Sequence, residues 1–538
     1  MPQIRSYATV VNRVRGYVTE CLSIDTRTLG VFRVFLGSIL LIDVVLRLKN
    51  LRYFYTDAGV VPQTLAQQAL SPSPFGEYTV TDGFSVFFLS GSFFFTAFLF
   101  IVLAFIAVQI VVGYRTRTAT LMAFVLVVSL HNRNPLVLNY GDILLRMLVL
   151  WSIFLPLGER YSVDAVHRDG EPRKRFLGLA SAAVLFQVVY VHFVNHLHKS
   201  QGETWQTGMA GVTTFGVDYH TTFIGDFLSS YPTVLRILSQ AWYVLLLLSF
   251  LLIVLRGRKR ILLISLFILG HIGIGLSMDF GIFPLVSMTG LLIFIPTEFW
   301  NGLIRVYNRF DLDTDRYRDR LTEMASALPN PTLGRLRGIE GTRKAMYFIT
   351  LSVLCLVVLM SVPAVGSVLE DGQGKDIATE VGETLSVDQP DWAMFAPEGL
   401  STDRYYVFAA ETTDGEKIDV YNDRNLTYSR PYKNLNRQFS TNREMHYMPI
   451  SPSITVNTGR YLAEYVCENH ENQLTHINIW LVSEKVTPEN ADSPELRDVK
   501  DGTVIYRHGC DGREPKDVGP PKNIPQTSSE RRFSFRRR

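Results

Sequence analysis

The chain has 538 residues, of which 47% are hydrophobic and only 19% are charged. This composition predicts a polytopic membrane protein with some soluble mass attached. The formal net charge of +3 is too small to indicate a nucleic-acid partner, and we expect none. No Gly-rich phosphate loop, Cys-x-x-Cys pair or Gly-x-Ser-x-Gly motif is present, which argues against nucleotide hydrolysis and the common hydrolase chemistries.

The predicted fold is an all-α membrane domain of about nine transmembrane helices, followed by a β-rich extracytoplasmic domain. A span of the bilayer needs roughly 20 apolar residues. We predict spans at 29–47, 90–113, 118–131, 141–157, 176–197, 233–255, 260–278, 281–298 and 344–365. The predicted parts are a cytoplasmic segment (1–28), the helical membrane domain (29–300), a cytoplasmic basic loop (301–343), the last helix (344–365), the β-rich domain (366–515) and a disordered basic tail (516–538).

The distribution of arginine and lysine predicts the orientation, because cytoplasmic loops carry an excess of both. Basic residues crowd after the predicted second, fourth, sixth and eighth spans, whereas the loops at 132–140 and 200–232 are nearly free of them. Only the loop after the first span, with Arg47, Lys49 and Arg52, departs from this alternation. We therefore expect an integral protein of the cell membrane with a cytoplasmic N-terminus and an extracytoplasmic C-terminal domain.

The C-terminal domain carries strand signals and two cysteines. Residues 404–421 predict two strands around Asp414-Gly415, which is a hairpin signal. Further strands are predicted at Tyr461–Cys467, His476–Val486 and Thr503–His508. If this domain faces an oxidising compartment, Cys467 and Cys510 can form a disulfide.

An apolar run that begins near Phe176 ends in a cluster of protonatable groups. His192 and His196 share one helical face, and His198 and Lys199 follow at the predicted membrane boundary. In an apolar setting Lys199 could act as a base near neutral pH. The alternative is that Lys199 reaches to the interface as an anchor while the histidines bond polar neighbours.

Other predicted spans also contain ionisable groups. Asp43 and Arg47 are spaced i, i+4 and predict a structural ion pair. His131, Asn139 and Asp142 surround the start of the fourth span, where Asp142 either favours the helix dipole or lines, with the other two, the mouth of a cavity.

His271 lies among glycines in the seventh span, and Asp279 follows it on the same predicted side as Lys199. A histidine in such a setting either forms a hydrogen bond across helices or contacts a ligand.

The segment from Tyr190 to Gly208, with Lys199 followed by Trp205 and Gly208, resembles the vitamin K-dependent gamma-glutamyl carboxylase and its prokaryotic relatives. These are grouped as the horizontally transferred transmembrane (HTTM) domain. Further similar stretches are Asp43-x-x-x-Arg47 with Tyr55-x-Asp57-x-Gly59, the His131-Asn132 turn, His271 to Pro284, and Trp392-Ala-Met-Phe-Ala-Pro397. The similarity covers about residues 25–300 and that short motif.

The resemblance implies an outward-facing active site in which Lys199 deprotonates a reduced vitamin K or menaquinone-type quinol. Reaction with O2 and epoxidation of the quinone then drive proton removal from glutamate, and CO2 adds to the carbanion. His131, His196 and His198 would support Lys199, whereas Trp205, His271, Asp142, Asn139 and Asp279 would line the quinol site; no metal is inferred. The carboxylase differs in having two adjacent lysines where this chain has His198-Lys199.

Three functions are therefore weighed. The first is a quinol-dependent membrane enzyme of the carboxylase type. The second is a non-enzymatic assembly or maturation factor whose outer domain binds an exported protein or peptide. The third is a transporter, which the lack of internal repeats makes the weakest. All three place the chain in a lipid membrane.

Overall fold

The protein was analysed as a computed structural model that describes residues 2–70, 83–309, 315–330, 347–355 with Val358, 391–448 and 452–521. It is mostly helical, with a sheet in the C-terminal region. The helices before the sheet are α1 (Pro2–Leu22), α2 (Thr26–Leu48), α3 (Leu51–Tyr55), α4 (Gln63–Ala69), α5 (Phe93–Val112), α6 (Thr116–Arg133), α7 (Tyr140–Ser152), α8 (Val163–Val166), α9 (Leu179–Lys199), α10 (Glu203–Thr207), α11 (Met209–Phe215), α12 (Phe223–Ser229), α13 (Pro232–Leu247), α14 (Leu251–Val254), α15 (Gly257–Ser277), α16 (Phe283–Leu292), α17 (Thr297–Arg309) and α18 (Asp315–Ser326). Residues 347–355 are also helical.

Within the described residues, five helices are long and apolar enough to cross a membrane: α2, α5, α9, α13 with α14, and α15. A sixth span is possible if α16 and α17, which meet at a 90° bend, are taken together. The predicted third and fourth spans form α6 and α7, which are not among the five, and the predicted ninth lies partly outside the described residues. The count of nine spans therefore stays a prediction.

Local sequence explains where two of these helices begin. Ser92 accepts a hydrogen bond from the backbone N–H of Phe95 at the start of α5, and Gly113 takes the left-handed conformation at its end. At the start of α7, Asn139 and Asp142 form a reciprocal capping box. Asp142 thus lies in the first turn of α7, where its charge favours the helix dipole, and it also takes part in the cap.

The N-terminal segment and two of the arginine-rich loops meet at one end of the membrane domain. Strand β1 (Ile24–Asp25) pairs antiparallel with β2 (Arg175–Phe176). Arg256 forms an ion pair with Glu20, and the Tyr17 hydroxyl donates to the Val254 carbonyl. The segments that the sequence analysis places in the cytoplasm therefore lie together.

The C-terminal region forms a five-stranded antiparallel sheet at the other end. Its strands are β3 (Thr402–Thr412), β4 (Lys417–Asp419), β5 (Arg424–Asn425), β6 (Leu474–Lys485) and β7 (Val499–Gly509), in the order β5-β4-β3-β6-β7. The β3–β4 hairpin turns at Gly415, which has φ +81°, as its Asp-Gly signal predicts. Two further helices, α19 (Asn442–Tyr447) and α20 (Pro452–Asn469), belong to the same region.

One predicted strand is wrong. Residues 461–467 lie in α20, which packs against β6 and β7. Thr458 and Leu462 are both buried and are spaced i, i+4, so the helical period of the buried face outweighs the strand preference of its tyrosines and valine. The disulfide between Cys467 and Cys510, which the sequence analysis proposed, joins this helix to the end of β7.

Both faces of the sheet are covered. Tyr405, Val407 and Trp480 pack in one cluster with Val212 of α11 and with Tyr219, which follows that helix. The other face meets α20 and the buried core that continues into the membrane domain. The sheet is therefore docked on the membrane domain beside the end of α9.

Candidate functional site

The end of α9 is covered by residues 392–398, which we call the cover segment. Asn195, one turn before Lys199, donates its side-chain amide to the carbonyls of Trp392 and Met394, at 2.8 and 3.2 Å. The Trp205 indole N–H donates to the Phe395 carbonyl at 2.7 Å. The Trp392-to-Pro397 motif that the sequence singled out therefore lies directly on the Lys199 helix end.

Lys199 is only 2% exposed, and its Nζ donates to the carbonyls of Met394 and Phe395. The same nitrogen lies 3.9 Å from the centroid of the Trp205 ring. Among the described residues, no carboxylate forms an ion pair with this amine. Lys199 is thus a buried amine held by carbonyl oxygens and an aromatic face.

Backbone conformation shows that the cover segment is held in shape by its contacts. Trp392 and Phe395 have φ of 54° and 53°, a region that bulky side chains seldom occupy. Glu398, the last residue of the segment, accepts hydrogen bonds from the backbone N–H groups of Glu203 and Thr204, both at 2.9 Å. The segment is therefore fixed to both α9 and α10.

A second group of charges, which we call the ion cluster, comprises Asp43, Arg47, Asp142 and Arg443. Arg47 donates to Asp43 at 2.8 Å and to Asp142 at 2.5 Å. Arg443, from α19, donates to Asp43 at 2.8 Å and also bonds both oxygens of Asp142. All four residues are buried, so two guanidinium groups offset two carboxylates away from water. The predicted Asp43–Arg47 pair is present, within a larger cluster.

His131 lies beside this cluster, with its Nε2 3.9 Å from Asp142. Within the part of the chain that the structure describes, neither of its ring nitrogens has a hydrogen-bond partner. Asp43, His131 and Asp142 could by distance hold a metal ion, since one ligand atom of each lies within 4.8 Å of the others. Both carboxylates are already engaged by Arg47 and Arg443, however, and the two positive charges oppose a cation there.

His192 and His271 form a buried pair between α9 and α15. His192 Nδ1 is 2.7 Å from the Val188 carbonyl, and the two Nε2 atoms are 3.1 Å apart. With neutral rings, His192 donates to Val188 and accepts from His271, which leaves His271 Nδ1 as an acceptor. That atom is buried and has no hydrogen-bond partner among the described residues. The His271 ring contacts Trp242 and Phe283.

The remaining predicted residues lie around these three places. His196 Nδ1 bonds the Tyr243 carbonyl at 3.1 Å, and His198 contacts the Asp391 backbone. Asn139 caps α7 and donates to Asn442 at 3.2 Å. The backbone carbonyl of Asp279 accepts from the Asn442 side chain at 2.9 Å. The structure thus joins Lys199 with Trp205, places His131, Asn139 and Asp142 together elsewhere, and sets Asp279 against the C-terminal domain.

A third charged group, formed by residues 218, 403, 430, 484 and 497, was not predicted. Arg497 donates to Asp218 at 3.1 Å and to Asp403 at 2.8 Å, and Arg430 bonds both of these and Glu484. Three carboxyls therefore share two guanidinium groups. Burial, with Asp403 close by, raises the pKa of Asp218 to about 7. One carboxyl can thus carry a proton near neutral pH, which brings the group toward charge balance.

One of the residues that contact the cover segment had a partial signal in the sequence, whereas a central residue of the ion cluster had none. Asn195 is spaced i, i+4 from Lys199, so a shared helical face could be read directly. Arg443 had none, because its partners Asp43 and Asp142 lie 400 and 301 residues away. Tyr140, the first residue of α7, links the helix that carries Asp142 to the cover segment. Its hydroxyl donates to Asp391 at 2.9 Å, and its ring contacts Trp392.

The fold and these contacts define a mostly helical protein whose five long apolar helices are compatible with an integral membrane protein, with a disulfide-containing domain docked over a buried lysine. No family model, curated protein or solved structure matches the chain in the comparisons made.

Proposed function

We propose that this protein is a membrane enzyme that resembles the vitamin K-dependent gamma-glutamyl carboxylase, with Lys199 as the general base toward a reduced quinone. The observation that carries the proposal is the environment of Lys199. It is buried, and its contacts are two carbonyls and an indole ring rather than a carboxylate. An amine that no carboxylate holds as an ammonium is free to exchange a proton, as a general base must.

The contacts of Lys199 suit both of its protonation states. In the neutral amine, two N–H groups donate to Met394 and Phe395 and one lone pair remains to accept a proton. After proton transfer, the Trp205 ring 3.9 Å away stabilises the ammonium through its π face. The two carbonyls therefore orient the amine, and the indole favours the product of proton transfer.

His271 supports a quinol site in the same region. Its Nδ1 is a buried acceptor that no described residue bonds, which suits a hydroxyl donor, and the rings of Trp242 and Phe283 suit a flat aromatic ligand. Its partner His192 precedes Lys199 by seven residues, about 10 Å along α9. The quinol, as substrate, would supply the reducing equivalents and O2 the oxidant, while CO2 would be added to glutamate or a related acceptor.

The test is incubation of the purified protein with reduced menaquinone or vitamin K, O2 and labelled bicarbonate. Epoxide should form with the wild type and with Lys259→Ala, which removes an exposed lysine elsewhere. Lys199→Ala should lower the rate by about 10²-fold or more. If the folded wild type forms no epoxide with any quinol, the enzyme proposal fails and the assembly-factor alternative takes its place.

We further infer nine spans, a cytoplasmic N-terminus and an extracytoplasmic C-terminal domain. The inference is supported by the grouping of basic loops at the α1 end, by the disulfide at the opposite end, and by the seating of the C-terminal domain on the arginine-poor loop 200–232. A cysteine placed at exposed Lys433 should react with a membrane-impermeant maleimide on intact cells. Labelling only after lysis would reverse the orientation.

A further inference from the structure

Helix α17 has a surface that the proposed enzyme chemistry does not use. Phe299, Leu303 and Val306 are spaced i, i+4, i+7, so they share one face, and they are 37%, 50% and 53% exposed. Arg305 and Arg309, spaced i, i+4, lie on a different face and are also exposed. The helix is therefore amphipathic, with its apolar face and its arginines both left open.

One side of α17 is fixed to the start of α2. The Thr297 hydroxyl donates to Asp25 at 2.9 Å, and the Trp300 indole N–H donates to the Thr28 hydroxyl at 2.8 Å. These contacts hold the first turn of α17 at the end of the membrane domain where β1 pairs with β2. The exposed apolar face of α17 is thus held at the end of the membrane domain that contains β1 and β2.

The direction of α17 places this face along the bilayer surface. The helix meets α16 at 90°, so if α16 runs along the membrane normal, α17 lies in the membrane plane. A helix at that level meets the boundary between acyl chains and headgroups, where an apolar face and a basic face are both satisfied.

The charges near α17 favour an anionic surface. Its only acidic residue is Glu298, in the first turn. Glu298 lies against Gly257, which is followed by the exposed basic residues Arg258 and Lys259 at the start of α15. Arginines and lysines near a membrane surface attract anionic lipids, and phosphate groups accept hydrogen bonds from guanidinium.

We propose that α17 lies in the membrane interface, with Phe299, Leu303 and Val306 among lipid acyl chains and Arg305 and Arg309 on anionic lipid headgroups. The occupant of the exposed face is therefore lipid. This inference concerns the end of the molecule opposite to Lys199 and does not depend on the proposed enzyme activity.

The first experiment measures depth in the full-length protein. A spin label is placed at Leu303→Cys or at Asn301→Cys after the free cysteines Cys21 and Cys355 are replaced by serine. In phosphatidylcholine vesicles with phosphatidylglycerol, the label at 303 should be more accessible to oxygen than to a water-soluble nickel complex, and the label at 301 should show the reverse. Equal nickel access at both positions would overturn the proposal.

The second experiment measures lipid preference. Enrichment of phosphatidylglycerol around the reconstituted protein should fall at least about twofold in R305Q/R309Q, and added salt should weaken it in the wild type. The matched control R437Q/R507Q removes two exposed arginines from the C-terminal domain and should leave enrichment unchanged. Unchanged enrichment in R305Q/R309Q overturns the headgroup contact. Spin–spin broadening at 303 that grows with the protein-to-lipid ratio would instead assign the face to a second copy of the chain.

Discussion

The ion cluster and the Lys199 site both lie where the membrane domain meets the C-terminal domain, and both bury basic side chains. In the ion cluster, Arg47 and Arg443 face two carboxylates, so each buried charge has an opposite charge in contact. Lys199 faces carbonyl oxygens and an indole ring instead. A fully paired cluster is suited to joining two parts of a fold, whereas an amine that contacts no carboxylate among the described residues can exchange a proton, as the proposed general base requires.

The largest effect on stability is expected for Arg443→Met. Without this guanidinium, the arginine that still pairs with both Asp43 and Asp142 in the described part of the chain is Arg47, so the cluster loses one positive charge and a net negative charge is buried. Removing one partner of a buried ion group costs about 3–5 kcal/mol. The variant should lower the midpoint of thermal unfolding and speed hydrogen exchange in α19, whereas Arg437→Met, on the exposed surface, should not. Equal midpoints for the two variants would show that the cluster does not join the domains.

A smaller effect is expected for Trp205→Phe. The substitution removes the 2.7 Å hydrogen bond to the Phe395 carbonyl while keeping an aromatic face near Lys199. A hydrogen bond of this kind contributes about 1 kcal/mol. Hydrogen exchange should therefore rise within residues 392–398 and stay at the wild-type level in β6. Unchanged exchange in the cover segment would mean that Asn195 and Lys199 suffice to hold it.

The smallest change in stability is expected for Lys199→Met. Each carbonyl that loses the amine keeps another donor, since Met394 still accepts from Asn195 and Phe395 from Trp205. The linear apolar side chain of methionine also removes the cost of burying an amine. The free energy of unfolding should therefore change by less than about 1 kcal/mol. The proposed epoxidation of the quinol should be lost nevertheless. A loss of stability as large as that of Arg443→Met would instead identify Lys199 as a structural tether.

Sequence alone determined the features that depend on near neighbours and on composition. Apolar length predicted the five long apolar helices that the described residues contain, the Asp414-Gly415 turn predicted the β3–β4 hairpin, and two cysteines in the C-terminal region predicted the disulfide. These features follow from the spacing of apolar residues and from the residue types of turns, and both can be recognised in a contiguous stretch of sequence. The strand predicted at 461–467 failed because packing under the sheet selected a helical period.

Only the tertiary structure decided which buried charges meet. Asp43 pairs with Arg443 across 400 residues, and Lys199 meets carbonyls that lie 195 and 196 residues further along the chain. Backbone carbonyls carry no side-chain identity, so no residue type in the sequence marks Met394 and Phe395 as partners of an amine. The sequence could therefore indicate a lysine at a helix end. Only the docking of the C-terminal domain determined that this lysine is buried against carbonyl oxygens and an indole ring, with no carboxylate of the described residues in contact.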